Sequence, residues 1–346
     1  MEQAVFPQWQ TQCQPTQRHA AARTVYAALD LGTNNCRLLM ATPQGGGFRV
    51  VDAFSRTTRL GEGLAGSGAL SEDAISRTLA ALKTCAQRMD RRGVTRLRSV
   101  ATEACRRASN CRDFLSRVNQ ETGIAMEIIS AEEEARLALA GCSPLLDRRI
   151  GDALVFDIGG GSTELIHVKV SRRPGGEEVR HLTSAPLGVV TLTEEYGAQL
   201  QTPEGYEHVV SMVAERLRDF DRDGRMARLV EQKRVQMLGT SGTVTTLAGV
   251  HLRLPRYDRA AVDGLVMDFQ AVEAASRSLV ETTPTARAAH PCIGPERADL
   301  VVAGCAILTA ICRLWPIGRL RVADRGVREG VLLSMMRADR TTAAAE

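Results

Sequence analysis

Lysine is almost missing from this 346-residue chain: Lys83, Lys169 and Lys233 are the only three, and arginine carries nearly all the positive charge. Arginine suits bidentate contacts to phosphate, although codon bias accounts for most of the excess. Neither sign of charge dominates: 44 Lys and Arg face 40 Asp and Glu, a formal net charge of +4. A chain so balanced lacks the field that draws a protein to nucleic acid or to an anionic membrane. The nine cysteines form no Cys-x-x-Cys pair, and none of the six histidines stands at metal-ligand spacing. A zinc site and a disulfide framework are therefore not expected, and the thiols read as those of a reducing cytoplasm. The most apolar run, residues 300–312, ends at Arg313 and is too short to cross a bilayer. Residues 1–23 are polar and glutamine-rich, without the apolar core of a signal peptide. The expectation is a cytoplasmic protein with no membrane partner and a disordered tail over residues 1–24.

What the chain does contain is length for two domains, each able to bury its own core. One stretch organises the second. Residues 153–156 are an apolar run suited to a buried strand, and Asp157 follows at its end. Gly159, Gly160 and Gly161 then turn the chain before Ser162 and Thr163. Consecutive glycines let backbone amides crowd around an anion, because no Cβ blocks the approach. A carboxylate beside such a loop would repel phosphate unless a cation lay between them, so the combination points to phosphate with a divalent metal. Taken alone, the same residues could make a tight hairpin turn.

The arrangement occurs twice. Strands are expected over 25–31, 36–41 and 48–54, then a helix opened by Ser71 and running to about Arg92. A strand over 97–101, a helix over 111–121, a strand over 126–129 and a helix from Ser130 to about Cys142 complete the first half. After Gly151 the order repeats, with strands over 153–158, 162–170 and 178–186. Later elements are a helix over 203–220, a strand over 235–238, and helices to about Val250, near 268–281 and near 296–313. A strand over 320–323 and a last helix from about Gly326 end the list. Asp30 with Gly32, Thr33 and Asn34 occupies the same place in the first half as Asp157 with its glycines in the second. The predicted fold is α/β, a duplicated β-β-β-α-β-α unit holding phosphate in a cleft. Domain I is expected over residues 25–134 and domain II over 135–340, with the last helix able to pack back on domain I.

Three further stretches carry candidate chemistry. Ser130 and Glu133 have the spacing of a capping box, and acids are favoured in a first helical turn. Glu134 needs neither role, and on the residues alone it is either solvated or catalytic. Thr102 and Arg106 follow the end of a strand, where open α/β sheets place ligand groups; they either hold a phosphoryl group or lie solvated on a helix. Gly239, Thr240, Ser241 and Gly242 form a third strand-to-helix loop whose amides would add an anion site. Arg328 and Glu329 lean towards a structural role.

These stretches together resemble the exopolyphosphatase / guanosine pentaphosphate phosphohydrolase (Ppx/GppA) family. That family lies within the superfamily of actin, sugar kinases and heat-shock chaperone ATPases. The resemblance rests on residues 29–34, 59–63, 101–106, 129–137, 156–164, 239–243 and 328–330, in family order. It implies a duplicated actin-like ATPase (ribonuclease H-like) fold, and Mg²⁺ as cofactor. It places the catalytic glutamate on Glu134, the magnesium-associated aspartate on Asp157 and the phosphate-binding arginine on Arg106. Asp30 and Glu164 become further metal carboxylates, and Gly32, Thr33, Asn34, Thr102, Gly159, Gly160, Gly161, Ser162, Gly239, Thr240, Ser241 and Gly242 phosphate ligands. The implied substrate is inorganic polyphosphate, or alternatively guanosine pentaphosphate, with a homodimer left open. A sugar kinase of the same fold and a non-catalytic sensor of polyphosphate or alarmone are the rival readings. Asn35, Cys36 and Arg325 depart from the family pattern. The chain resembles the short, two-domain form, without the added helical domains of longer relatives.

Overall fold

Two apolar stretches that end in an aspartate become the inner strands of two sheets. The computed structural model describes residues 24–173 and 175–345, so the expected tail, but for Thr24, lies outside the described residues. By their contacts these residues separate into two compact units, one within Met1–Ser130 and Arg328–Glu346, the other Ala131–Val327. Among the described residues no helix is long and apolar enough to cross a membrane.

In the first unit β1 (Tyr26–Leu31), β2 (Asn35–Gln44) and β3 (Gly47–Thr57) form an antiparallel meander. After α1 (Leu64–Ser67) comes α2 (Glu72–Arg91), opened as expected by Ser71, whose hydroxyl accepts from the Ala74 amide at 3.2 Å. Strand β4 (Arg96–Ala101) returns parallel to β1. Helices α3 (Glu103–Arg107) and α4 (Cys111–Thr122) lead to β5 (Glu127–Ile128), parallel to β4 and shorter than the expected 126–129. The sheet order is β3-β2-β1-β4-β5. Ala27, Leu29 and Leu31 join Leu79, Leu82, Phe114 and Val118 of α2 and α4 in one core. Side chains alternate along a strand, so Asp30 is turned to the other face.

The second unit opens with α5 (Ala131–Cys142), which carries Glu134. The expected boundary after residue 134 thus falls inside a helix, and the contact boundary precedes it. Strands β6 (Asp152–Ile158), β7 (Thr163–Lys169) and β8 (Glu178–Ala185) repeat the meander. They are followed by α6 (Val189–Tyr196), α7 (Pro203–Leu217), α8 (Arg225–Glu231), β9 (Val235–Thr240), α9 (Gly242–His251), α10 (Arg259–Val262) and β10 (Val266–Asp268). Helices α11 (Phe269–Glu281), α12 (Pro284–Ala289) and α13 (Val301–Leu314) precede β11 (Arg319–Ala323), and α14 (Val327–Ala345) ends the described chain. The order is β10-β11-β9-β6-β7-β8, with β9 parallel to both β6 and β11. Apart from the added edge strand β10, this is the first sheet's connectivity again. Helix α6 is absent from the sequence expectation because Val189, Val190, Thr191 and Thr193 are β-branched and read poorly as helix.

Both faces of this second sheet are covered. Leu154, Phe156 and Ile158 of β6 share one core with residues of α7, α11 and α13. Ala153 and Val155 face the other way, with Ile166, Val168, Leu238 and Ala323, against Ala135, Leu139 and Cys142 of α5. Each helix that follows a unit's last strand is grouped with the opposite unit: α5 after β5 goes with the second, α14 after β11 with the first. Helix α14 lies on the Asp30 face. Its Asp339 accepts from the Tyr26 hydroxyl at 2.8 Å and from Arg96 Nε at 3.1 Å. Asp30, at the other end of β1, feels the charges of Arg328 and Glu329. The helix therefore runs along β1 in the opposite sense.

Candidate active site

In the first unit the chain turns at the end of β1, where the Gly32 amide donates to the Asn35 carbonyl at 2.9 Å. The loop of Gly32, Thr33 and Asn34 is then held from outside. The Asn34 carbonyl accepts the Thr58 and Arg59 amides at 2.9 and 3.0 Å, and the Thr33 carbonyl accepts the Gly61 amide at 2.9 Å. A Cβ on Gly61 would stand 2.3 Å from Thr33 Cγ2, so a larger residue there would force the Thr33 side chain to shift. The residue string by itself gives Gly61 no role, because the bond from its amide to the Thr33 carbonyl joins positions far apart in sequence. Asn34 Oδ1 is buried without a hydrogen-bond partner among the described residues.

Asp30 is half-buried, and that burial pushes its carboxyl above the usual carboxylate range. Arg37, paired with it across β2, and Arg328 oppose the shift, while Glu329 adds to it. Thr102, 3% exposed, donates its amide to the Leu31 carbonyl at 3.1 Å, which fastens the start of α3 beside the Gly32 loop. Arg106 lies within α3. Its Nε and Nη2 donate to Glu103 Oε2 at 3.1 and 2.9 Å, and its Nη1 donates to the Ile129 carbonyl at 2.9 Å. The loop residues, Thr102 and Arg106 thus gather at one end of the first sheet.

In the second unit, register places the polar candidates in a row. Thr240 of β9, Asp157 of β6, Glu164 of β7 and Ser184 of β8 are successive cross-strand partners. Their neighbours Leu238, Val155, Ile166 and Leu182 meet α5, so the row lies on the α5 face. Glu164, 1% exposed, takes the Ser162 and Ser184 hydroxyls on the same oxygen, each at 2.7 Å. Ser162, expected as a phosphate ligand, is itself only 3% exposed, and its hydroxyl orients Glu164.

The loop of Gly159, Gly160 and Gly161 is closed by the Gly159 amide on the Ser162 carbonyl at 2.8 Å. Helix α6 supports it from behind: Val189 and Val190 donate their amides to the carbonyls of Gly159 and Gly160 at 3.0 and 2.8 Å. Gly188 makes that contact feasible, since a Cβ there would stand 2.2 Å from the Gly160 oxygen. Like α6 itself, Gly188 escaped sequence reasoning.

The third loop is shorter than expected. Strand β9 continues through Thr240, which leaves Gly239 inside the sheet between β6 and β11. A Cβ on Gly239 would come within 2.4 Å of Phe156 Cζ, so packing against that ring accounts for the glycine. The Thr240 hydroxyl donates to the Arg325 carbonyl, which also receives the Cys142 thiol at 3.2 Å. Arg325 itself pairs with Asp263 at 2.7 Å.

Ser241 is different. Its backbone, at φ 102° and ψ 173°, lies where side chains are strained, and its buried Oγ has no partner among the described residues. It stands at the N-terminus of α9, a ten-residue helix whose first amides favour an anion. A strained residue with an orphaned hydroxyl at such a position fits a phosphoryl oxygen.

For a divalent cation the donor set is smaller. No group of three or more His, Cys, Asp or Glu converges among the described residues. Asp157 and Glu164 stand side by side on adjacent strands and offer hard carboxylate oxygens. Mg²⁺ is commonly held by one or two carboxylates, with substrate phosphates and water supplying the rest, so the pair fits that ion.

A model of the Ppx/GppA phosphatase family matches residues 39–339 of this chain. A solved structure of the Aquifex aeolicus member of that family is 30% identical, with a TM-score of 0.73 over 91% of this chain and 98% of its own. An exopolyphosphatase-like protein is 26% identical, with a TM-score of 0.81 over 91% of this chain and 98% of its own. An exopolyphosphatase of Cytophaga hutchinsonii shares the fold at 22% identity, with a TM-score of 0.79 over the same two shares, 91% and 98%. The family model spans most of the chain and a relative at 30% identity covers 91% of it, so this chain, with its two open-sheet α/β units, belongs to the Ppx/GppA phosphatase family and is a hydrolase of that family.

Proposed function

We propose that the chain is an exopolyphosphatase, hydrolysing the terminal phosphoanhydride of inorganic polyphosphate with Mg²⁺ and releasing phosphate. The observation that carries this reading is the row of Thr240, Asp157, Glu164 and Ser184 beneath a glycine loop, on the face covered by the helix bearing Glu134. The same sheet order in both units supports reading the fold as the duplicated actin-like ATPase fold. The description of a 26% identical relative as exopolyphosphatase-like favours the polymer over guanosine pentaphosphate. All eight cysteines among the described residues are free thiols, which supports a reducing, cytoplasmic setting.

Glu134 takes a proton from the attacking water, or orients it. Amides of the Gly159–Gly161 loop, Ser241 and the start of α9 receive phosphoryl oxygens in the second unit. In the first unit Arg106, Thr102 and the amides of Gly32, Thr33 and Asn34 have that task. Asp157 and Glu164 would hold Mg²⁺, and Asp30 occupies the matching strand end of the first unit. When bound, the ion supplies charge compensation for the phosphoryl group. Ser162 and Ser184 keep the Glu164 carboxylate aimed.

Phosphate release measured side by side on long-chain polyphosphate, guanosine pentaphosphate and ATP tests the reading. Monophosphate is expected as the first product from polyphosphate, and EDTA is expected to abolish its release. Mid-length fragments appearing before free phosphate would overturn the exo mode. Faster turnover of guanosine pentaphosphate would reverse the substrate, and no release from any of the three would leave a sensor.

A further inference from the structure

Arg106 does not stand alone. We propose that Glu103 is a positioning residue for the reaction, its carboxylate fixing Arg106 in the orientation that meets the phosphoryl group; this rests on the reading of Arg106 as a phosphate ligand. An arginine side chain is long and rich in rotamers, and a phosphate ligand must be placed before the substrate arrives. Here all three guanidinium nitrogens are engaged, Nε and Nη2 by one carboxylate oxygen and Nη1 by the Ile129 carbonyl.

The simpler account is an i,i+3 ion pair, which on an exposed helix contributes only a few tenths of a kcal/mol. Burial separates the two accounts. Side chains of Arg106 and Glu103 are 17% and 15% exposed, whereas the helical pair Arg136 and Glu132 stands at 59% and 64%. The frame around the pair is also tied down. The Thr102 amide bonds the Leu31 carbonyl at 3.1 Å, and the Ile129 amide bonds the Ala101 carbonyl at 3.1 Å. A five-residue helix pinned at its start, and a guanidinium pinned from its own helix and from the segment after β5, form a preset clamp.

The carboxylate also offsets part of the guanidinium charge. Glu103 thus weakens the general attraction for an anion while improving its orientation. Removing it should therefore lower kcat and leave KM unchanged or reduced.

The test is a double-mutant cycle on polyphosphate hydrolysis, with melting temperature measured for each variant. Glu103→Ala is expected to lower kcat roughly 10- to 100-fold without raising KM. Glu103→Gln keeps an acceptor oxygen in place and should recover most of that loss. Adding Glu103→Ala to Arg106→Ala should cost nothing further, because the residue then has nothing to aim. Wild-type kcat in Glu103→Ala beside an impaired Arg106→Ala would overturn the positioning role and leave Arg106 as a ligand. Losses that multiply in the double mutant would also overturn it. Wild-type turnover in Arg106→Ala would instead remove the reading on which the proposal stands.

Discussion

At the scale of single residues, Ser241 combines two unfavourable features. A serine at φ 102° and ψ 173° occupies a region that glycine tolerates, at a cost of about 1–3 kcal/mol for other residues, and its hydroxyl is buried without a partner. Ser241→Gly should therefore raise stability by at least about 1 kcal/mol while weakening competitive inhibition by phosphate. Ser241→Ala removes the hydroxyl but keeps the strained backbone, so it should weaken inhibition with a smaller gain in stability than the glycine variant. A melting temperature unchanged in the glycine variant would refute the strain. Glu134 and Glu133 offer a second comparison within one helical turn. Glu134→Gln is nearly isosteric and should lower turnover by roughly 10²–10⁴-fold with the fold intact, whereas Glu133→Gln should leave turnover near wild type. Equal losses of activity in the two variants would remove Glu134 from its role.

At the scale of elements, glycine loops depend on what stands behind them. The Gly159–Gly161 loop has α6 against its carbonyls, and Gly188 admits that helix. In Gly188→Ala the new methyl would meet backbone atoms of Gly160 and Gly161, which cannot swing aside as a side chain would. The variant should lose about 1–3 kcal/mol of stability and most of its activity. Gly46→Ala, in the turn between β2 and β3 with nothing within 4 Å of the added carbon, should change neither. If Gly188→Ala kept full activity, α6 would not be the support of the loop.

At the scale of the whole molecule, the last helix closes the first unit. Helix α14 is anchored by Asp339, which accepts from both Tyr26 and Arg96. Burial first, and then the bond to Asp339, push the Tyr26 phenol from its ordinary 10.0 up to about 12. The folded chain therefore holds this proton more tightly than the unfolded chain. The associated stability is fully present below about pH 10 and is lost as pH rises towards about 12. Tyr26→Phe should flatten stability across that interval. Asp339→Ala should cost about 1–3 kcal/mol by leaving the buried phenol unsatisfied, and should speed hydrogen exchange in α14. Unchanged exchange in α14 would show that the helix is held without this anchor.

Local pattern alone determined much of this protein. Apolar runs bounded by glycine marked β1, β2, β3 and β6, and Ser71 marked the start of α2, because those signals lie within a few residues of each other. The repeat of a strand, an aspartate and a glycine loop announced two similar halves, and motifs in sequence order pointed to the phosphatase family. What only the tertiary structure decided depends on contacts distant in sequence. Gly239 looked like a loop glycine, yet Phe156 and the β6 and β11 ladders hold it inside a sheet. Helix α6 forms from β-branched residues because Val189, Val190 and Leu192 reach a core that no local propensity encodes. Ser162 and Ser184 converge on Glu164 through strand register, and α5 and α14 are each grouped with the opposite half of the chain. Periodicity tells a helix which face to bury; the partner for that face is chosen only when the whole chain has folded.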